Sequence, residues 1–317
     1  MARTLTLEIL RLMRPHDWVK NVFVLPALVF SRQLDDVAAI GRTAWAVAAF
    51  CLLSSGIYAI NDALDAESDR RHPIKRSRPV AAGTVSATSA FVVGLVLVAA
   101  ALVMGFTGPG FSGDIDYRME LGFTLALYAV LQAAYNLKLK RAPVIDVVTV
   151  AIGFALRAAA GAAAVGVGIS IWLLMCVFFL CLYLGFIKRL CDKASAEAAG
   201  ADGWTSPAGY HSRDELNWLL GITAALAVVT YLMYALSEHA HEIFGSRSHG
   251  FALLIPLVLI AIHRFYRRAA AGQSDSPLSA LREDKVVLAS IILYGVGVLV
   301  TLYAPGIELI LGKLFVA

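Results

Sequence analysis

Between Asn61 and Pro73 the chain reads Asn-Asp-Ala-Leu-Asp-Ala-Glu-Ser-Asp-Arg-Arg-His-Pro. On a helix advancing about 100° per residue, Asp62, Asp65 and Asp69 lie at about 0°, 300° and 340°, so three carboxylates share a sector of roughly 60°. Anions this close repel one another and cost stability. A hard divalent cation reverses that cost, because carboxylates with water and phosphate oxygens are how proteins hold Mg²⁺. Asp62, Asp65 and Asp69 are therefore the expected metal ligands, with Mg²⁺ as the cofactor. Asn61 stands beside them as a further oxygen donor. One or two aspartates here would read as a solvated turn leaving an apolar helix; three on one face read as a cation site.

Arg70, Arg71, His72, Lys75, Arg76 and Arg78 follow at once, with Pro73 and Pro79 breaking the helix. Some of these cations anchor a membrane segment at its inner face. The remainder suits a substrate with more phosphate than the metal neutralises, which makes Arg70, Lys75 and Arg78 substrate-binding candidates. His72 reads as a hydrogen-bonding loop residue.

The elements that must position these groups are membrane helices. Of 317 residues, 59% are hydrophobic and 16% charged, a balance far from that of a soluble domain. Crossing a bilayer takes about 20 largely apolar residues, and runs of that kind place spans near 21–37, 43–60, 85–106, 119–135, 143–162, 170–187, 216–236, 250–266 and 286–304. Of the 27 Lys and Arg, 21 fall at the N-terminus and in alternate loops, and five on the opposite side. That asymmetry makes the richer side cytoplasmic. The expected cytoplasmic loops lie near 61–84, 136–142, 188–215 and 267–285, the N-terminus is cytoplasmic, and the C-terminus is external. One transmembrane domain over 1–317 follows, with the bilayer as a partner and no nucleic acid. The apolar run from Val22 to Phe30 belongs to the first span, not to a cleaved signal peptide. The four cysteines show no metal or redox spacing. The polar segment 192–215 is long enough to act as a lid.

Other charged positions carry less. Arg157 lies inside a span and Asp146 near the start of the same span; each costs at least about 2.5 kcal/mol in lipid, so both should face the bundle interior. Eleven residues apart, they share a face but lie about 16 Å apart along the axis, too far to pair. A role in a central cavity is expected for both. Lys20, in the run Trp18-Val19-Lys20-Asn21, fits an interfacial anchor or a catalytic contact equally well. Tyr135 and Lys140 close the fourth span, and His239, His241 and His249 read as ordinary external loop residues. The external acidic group Asp114, Asp116 and Glu120 is assigned nothing.

The run Asn61–Asp69 resembles the first acidic motif, NDxxDxxxD, of the UbiA superfamily of intramembrane prenyltransferases. Arg14-Pro15-His16-Asp17-Trp18-Val19-Lys20-Asn21, Asp69 to Pro79, Tyr135 to Lys140 and Gly185-Phe186-Ile187-Lys188-Arg189 are similar to the decaprenyl-phosphate phosphoribosyltransferase branch of that superfamily. The resemblance implies an all-α integral membrane protein, about nine transmembrane helices in a UbiA-like bundle with a central cavity open to the cytoplasm. It implies transfer of 5-phosphoribose from phosphoribosyl diphosphate to a polyprenyl phosphate, as in synthesis of a lipid-linked arabinose donor, in the bacterial plasma membrane. It tips Lys20 toward a diphosphate contact, and gives Tyr135, Lys140, Lys188 and Arg189 substrate-binding roles. Prenyltransferases of the superfamily carry a second, DxxxD-type motif after the sixth span. Here that position reads Lys188-Arg189-Leu190-Cys191-Asp192-Lys193, which suits a cationic phosphate clamp better than a second metal. A prenyl diphosphate donor with an aromatic or other polar acceptor is the alternative chemistry, and a transporter or lipid-binding scaffold is the alternative class. Acceptor chain length, one Mg²⁺ or two, and a homo-oligomer are left open.

Overall fold

Long apolar runs can satisfy their backbone polar groups in lipid only as helices or closed barrels, and in the computed structural model they are helices. It describes residues 2–71, 75–108, 115–198, 208–210, 212–273 and 277–315, and these contain helix, turn and loop but no strand. His72, Asp114 and much of the expected lid (199–207 and 211) lie outside the described residues. Among the described residues six helices are long and apolar enough to cross a membrane, and a bent pair makes up to seven.

The helices fall into two compact units, Met1–Lys138 with Ala155–Ile169, and Leu139–Phe154 with Ser170–Ala317. The first contains α1 (Ala2–Met13), α2 (Pro26–Phe30), α3 (Val37–Leu64), α4 (Ala66–Arg71), α5 (Ala87–Thr107), α6 (Ile115–Leu137) and the second half of α7 (Ile145–Val165). Asp36 caps α3 by accepting from the Ala38 amide at 2.8 Å, and Ser86 caps α5 by accepting from Ser89 at 3.0 Å. α3 and α5 pack closely through Gly56 and Gly94. A Cβ on Gly94 would stand 2.8 Å from the Gly56 carbonyl and 2.6 Å from Ile60, so glycine sets how near the two backbones come. Phe50, Leu53, Leu121, Leu125 and Tyr128 fill the core between α3, α6 and α7.

The first expected span, 21–37, is not one α-helix. A 3-10 run, Pro15–Val24, leads to the short α2. Pro15 and Pro26 explain the interruption, because each lacks an amide donor and restricts the residue before it. Arg14, next to Pro15, has φ +50. The expected fourth span is α6, whose Glu120, Gln132 and Asn136 dilute its apolar content and leave it outside the six.

The second unit holds the first half of α7 together with α8 (Ile171–Ala198), α9 (Arg213–Ala235), α10 (Glu238–Phe244), α11 (Ser248–Leu253), α12 (Ile255–Ala270), α13 (Pro277–Glu283), α14 (Lys285–Tyr303) and α15 (Ile307–Leu314). α8 packs on α9 and α12, and α12 on α14. The expected span 250–266 is broken at Leu254, just before Pro256, and bends by 46° there.

Candidate active site

α3 and α4 carry the acidic motif. The turn between them is nearly helical: the Asp65 amide donates to the Asn61 carbonyl at 2.9 Å and the Asp69 amide to the Asp65 carbonyl at 2.9 Å. Asp62 and Asp69, two turns apart, thus face one way, and both are buried, at 2% and 3% exposure. One guanidinium nitrogen, Nη1 of Arg78, reaches both, at 3.2 Å from Asp62 Oδ1 and 2.6 Å from Asp69 Oδ2. Arg14 Nη2 donates to the same Asp62 oxygen at 2.5 Å, and its guanidinium lies 4.9 Å from the centre of the Tyr58 ring. One guanidinium thus neutralises two buried carboxylates at the same point.

Asp65 does not join them. It caps the end of α3, half-buried, and among the described residues no three His, Cys, Asp or Glu side chains are gathered for a metal ion. Of the three expected carboxylates, two are buried on one guanidinium, and Asp65 sits half-buried at the end of α3. The donor set still suits Mg²⁺. It consists of oxygens only, and Oδ1 of Asn61, one residue before Asp62, is buried without a hydrogen-bond partner. A buried acceptor left unmatched is costly, and a hard cation satisfies it. Asp62, Asp69 and Asn61 are the residues that would hold the ion.

Other expected residues in this unit are placed as follows. Lys20 is exposed, 2.6 Å from Asp17 and 5.9 Å from the centre of the Tyr58 ring. Arg70 and Lys75 are exposed, and Tyr135 is half-buried in the last turn of α6. Arg157 is buried at 4% exposure; its Nε donates to Asn21 Oδ1 and its Nη2 to the Tyr128 hydroxyl, each at 2.8 Å. Its charge also lies over the Phe50 and Tyr128 rings, at 5.4 and 4.7 Å. Arg157 therefore ties the first 3-10 run to α6 and α7.

The second unit has a separate cluster. Asp146, fully buried, accepts from Arg189 Nε at 2.9 Å and Nη2 at 2.8 Å, and from the Tyr210 hydroxyl at 2.6 Å. Tyr210 in turn accepts from the Val144 amide at 2.8 Å, and Val144 has φ +66. Burial and the bond to Asp146 push the Tyr210 phenol far above its ordinary pKa, so it stays a donor. The expected pair of phosphate-clamping cations thus divides. Lys188 is exposed, while Arg189 turns inward to neutralise Asp146, because neighbours on a helix point about 100° apart. Lys140 is half-buried in the 3-10 turn before α7. Asp146 and Arg157 are both buried, each with partners in its own unit.

Sequence reasoning passed over Arg14, Asn21, Tyr128 and Tyr210 as site residues. Arg14 had a signal, an arginine before proline in a run already singled out. Tyr210 had none, lying 64 residues from Asp146.

Residues 22–282 match the UbiA prenyltransferase family. The chain belongs to that family. The match runs through both units. A decaprenyl-phosphate phosphoribosyltransferase of Mycolicibacterium smegmatis is 31% identical over 295 residues, covering 90% of this chain and 89% of that protein. One of Corynebacterium glutamicum is 29% identical over 280 residues, covering 88% and 81%. Among solved structures, a UbiA homologue from Archaeoglobus fulgidus bound to DMAPP and Mg²⁺ aligns with a TM-score of 0.68, 20% identity, and coverage of 92% of this chain and 99% of that one. At that identity the likeness establishes the shared fold.

Proposed function

We propose that this UbiA-family enzyme transfers 5-phosphoribose from phosphoribosyl diphosphate to a polyprenyl phosphate, releasing diphosphate. The observation that carries the reading is the pair of buried carboxylates, Asp62 and Asp69, held by one guanidinium, in a chain that resembles the decaprenyl-phosphate phosphoribosyltransferases of Mycolicibacterium smegmatis and Corynebacterium glutamicum along most of its length.

Mg²⁺ held there would neutralise the diphosphate and stabilise it as it leaves. Arg14 and Arg78, which now neutralise Asp62 and Asp69, become available to phosphate oxygens once the metal takes over that work. Both are arginines, able to hold a phosphate in two-pronged fashion. Lys20 and Arg14 both lie over the Tyr58 ring, at 5.9 and 4.9 Å, and in this reading Lys20, Arg70, Lys75 and Tyr135, all of the first unit, add substrate contacts. As the C1–oxygen bond to diphosphate breaks, charge grows on the leaving group, and fixed cations favour that state over the ground state. The acceptor phosphate is anionic at neutral pH, so it attacks C1 without a general base. A lipid acceptor accounts for an intramembrane fold serving a water-soluble donor.

Nine crossings belong to the same proposal, with the Asp62 end of α3 cytoplasmic. The six apolar helices and the bent pair are joined by α6 and by the 3-10 run with α2. In a bacterium the membrane is the plasma membrane.

The direct test incubates purified protein with Mg²⁺, phosphoribosyl diphosphate labelled in the ribose, and decaprenyl phosphate. Label should pass into a lipid extract, and Asp62→Asn should lower the rate by at least about a hundredfold. Consumption of a prenyl diphosphate with an aromatic acceptor, without any labelled lipid, would reassign the chemistry.

A further inference from the structure

Arg264, Arg267 and Arg268 stand at spacings of three and four near the end of α12, so they share one helix face. With Glu283 at the end of α13, and Asp284 and Lys285 at the start of α14, they line a cavity of about 400 Å³. Both carboxylates are already engaged: Arg264 donates to Asp284 at 3.1 Å, and Arg268 donates to Glu283. Among the described residues, Arg267 and Lys285 have no carboxylate within ion-pairing distance. In addition, Nε of Arg264 and Nε of Arg268 are buried without a hydrogen-bond partner. Buried guanidinium N–H groups rarely go unmatched, and an anion entering the cavity would match them. The lining thus carries a surplus of two positive charges and unsatisfied donors.

The cavity lies at the level of lipid headgroups. α12 is apolar as far as Ile262 and α14 is apolar from Val286 onward, so both helices change character at this point. Ala271 and Val286 give the cavity an apolar side as well. Simple anchoring at the cytoplasmic face would account for the cations. It would not account for a cavity between α12 and α14 whose lining holds buried donors without acceptors.

We propose that this cavity binds the phosphate of an anionic glycerophospholipid, with Arg267 and Lys285 as its main contacts. Basic pockets between membrane helices on the cytoplasmic side hold such headgroups. The inference stands apart from the reading of Asp62 and Asp69.

The test uses the full-length protein in detergent micelles, titrated with phosphatidylglycerol, phosphatidylcholine or inorganic phosphate, with bound lipid counted by native mass spectrometry. Phosphatidylglycerol should bind in preference to phosphatidylcholine. The double variant Arg267→Gln/Lys285→Gln, which spares both ion pairs, should weaken that binding by about tenfold or more. Arg267→Lys/Lys285→Arg should bind as the parent does, which separates lost charge from lost fold. Arg282→Gln, at an exposed position outside the cavity, should change nothing. Unaltered phosphatidylglycerol binding in the double glutamine variant would overturn the proposal. So would an equal loss in Arg282→Gln, which would mean diffuse surface charge. Displacement of the lipid by an equal concentration of inorganic phosphate would overturn it too, by making the cavity a free-phosphate site.

Discussion

Arg78 holds two buried carboxylates with one nitrogen, and that arrangement predicts a metal-linked stability. Removing it takes from buried Asp69 its guanidinium partner and leaves Asp62 with Arg14 alone. Arg78→Ala should therefore lose about 1–3 kcal/mol in the presence of a chelator, a figure reduced from the cost of a fully buried pair because Arg78 is partly exposed. Added Mg²⁺ should return much of that loss, since it occupies the vacated position. Thermal melting in detergent checks this: the rise in Tm on adding Mg²⁺ should be larger for Arg78→Ala than for the parent. Equal rises would mean that the two aspartates do not share a cation. Arg189 offers a contrasting case. As a phosphate clamp, its loss would raise KM and leave the fold intact. As the partner of fully buried Asp146, its loss strands a charge, so Arg189→Ala should lower Tm by an amount corresponding to about 3 kcal/mol. Asp146→Asn/Arg189→Ala should recover part of it, because no charge then remains buried. A raised KM at unchanged Tm would restore the clamp.

Among the elements, α14 shows how an apolar helix is fixed at its ends. At its start, Asp284 accepts from the Val286 and Val287 amides at 2.9 and 3.2 Å, where negative charge suits the helix dipole. Arg247 donates to the Thr301, Leu302 and Ala304 carbonyls at its end, at 2.8, 3.1 and 3.2 Å, where positive charge suits it. Burial would raise the Asp284 pKa, but Arg264 and the two amides outweigh burial and hold it below the ordinary carboxylate value. A carboxyl depressed on folding adds stability that is complete above its unfolded value, about 4, and disappears as pH falls through the lower folded value. Asp284→Ala should cost about 1 kcal/mol at neutral pH as a lost cap, and the gap in Tm between parent and variant should close only below about pH 4. A gap that closed near neutrality would assign the cap to another group. Most of these elements were legible as apolar runs, because length and hydropathy are local properties. The 3-10 run at Pro15–Val24 and the break at Leu254 were not, since a proline within an apolar run still reads as membrane. The face shared by Asp62 and Asp69 was legible from spacing alone. The cations that occupy it were less so: Arg78 was one of six basic residues in its run, and Arg14 reaches Asp62 across 48 positions, a distance that no periodicity encodes.

At the scale of the whole molecule, the sidedness of everything after the interrupted first segment depends on whether that segment crosses the membrane. Contacts within the first unit favour a crossing. Arg14 meets Asp62, the Met13 carbonyl and the Trp18 indole meet Ser55, and Asn21 meets Cys51, so the chain descends α3 in the opposite sense. It then reaches Asp36, the cap at the far end of the same helix. From Ser55 to Val37 is about 27 Å at 1.5 Å per residue, close to the thickness of the hydrocarbon layer, about 30 Å. α1 must therefore lie at the end of α3 that carries the acidic motif, as the bond from Thr84 to Glu8 at 3.0 Å also requires. In a background with Cys51, Cys176, Cys181 and Cys191 replaced, single cysteines at the exposed positions Arg11, Asp35 and Lys75 should report this with a membrane-impermeant maleimide. Asp35→Cys should react in intact cells, whereas Arg11→Cys and Lys75→Cys should react only after permeabilisation, as the proposed cytoplasmic placement of the basic side requires. If Arg11→Cys and Asp35→Cys reacted from the same side, the segment would be re-entrant. The odd number of crossings would then fail, and the N-terminus could no longer share a compartment with the acidic motif, in conflict with the direct contact between Arg14 and Asp62.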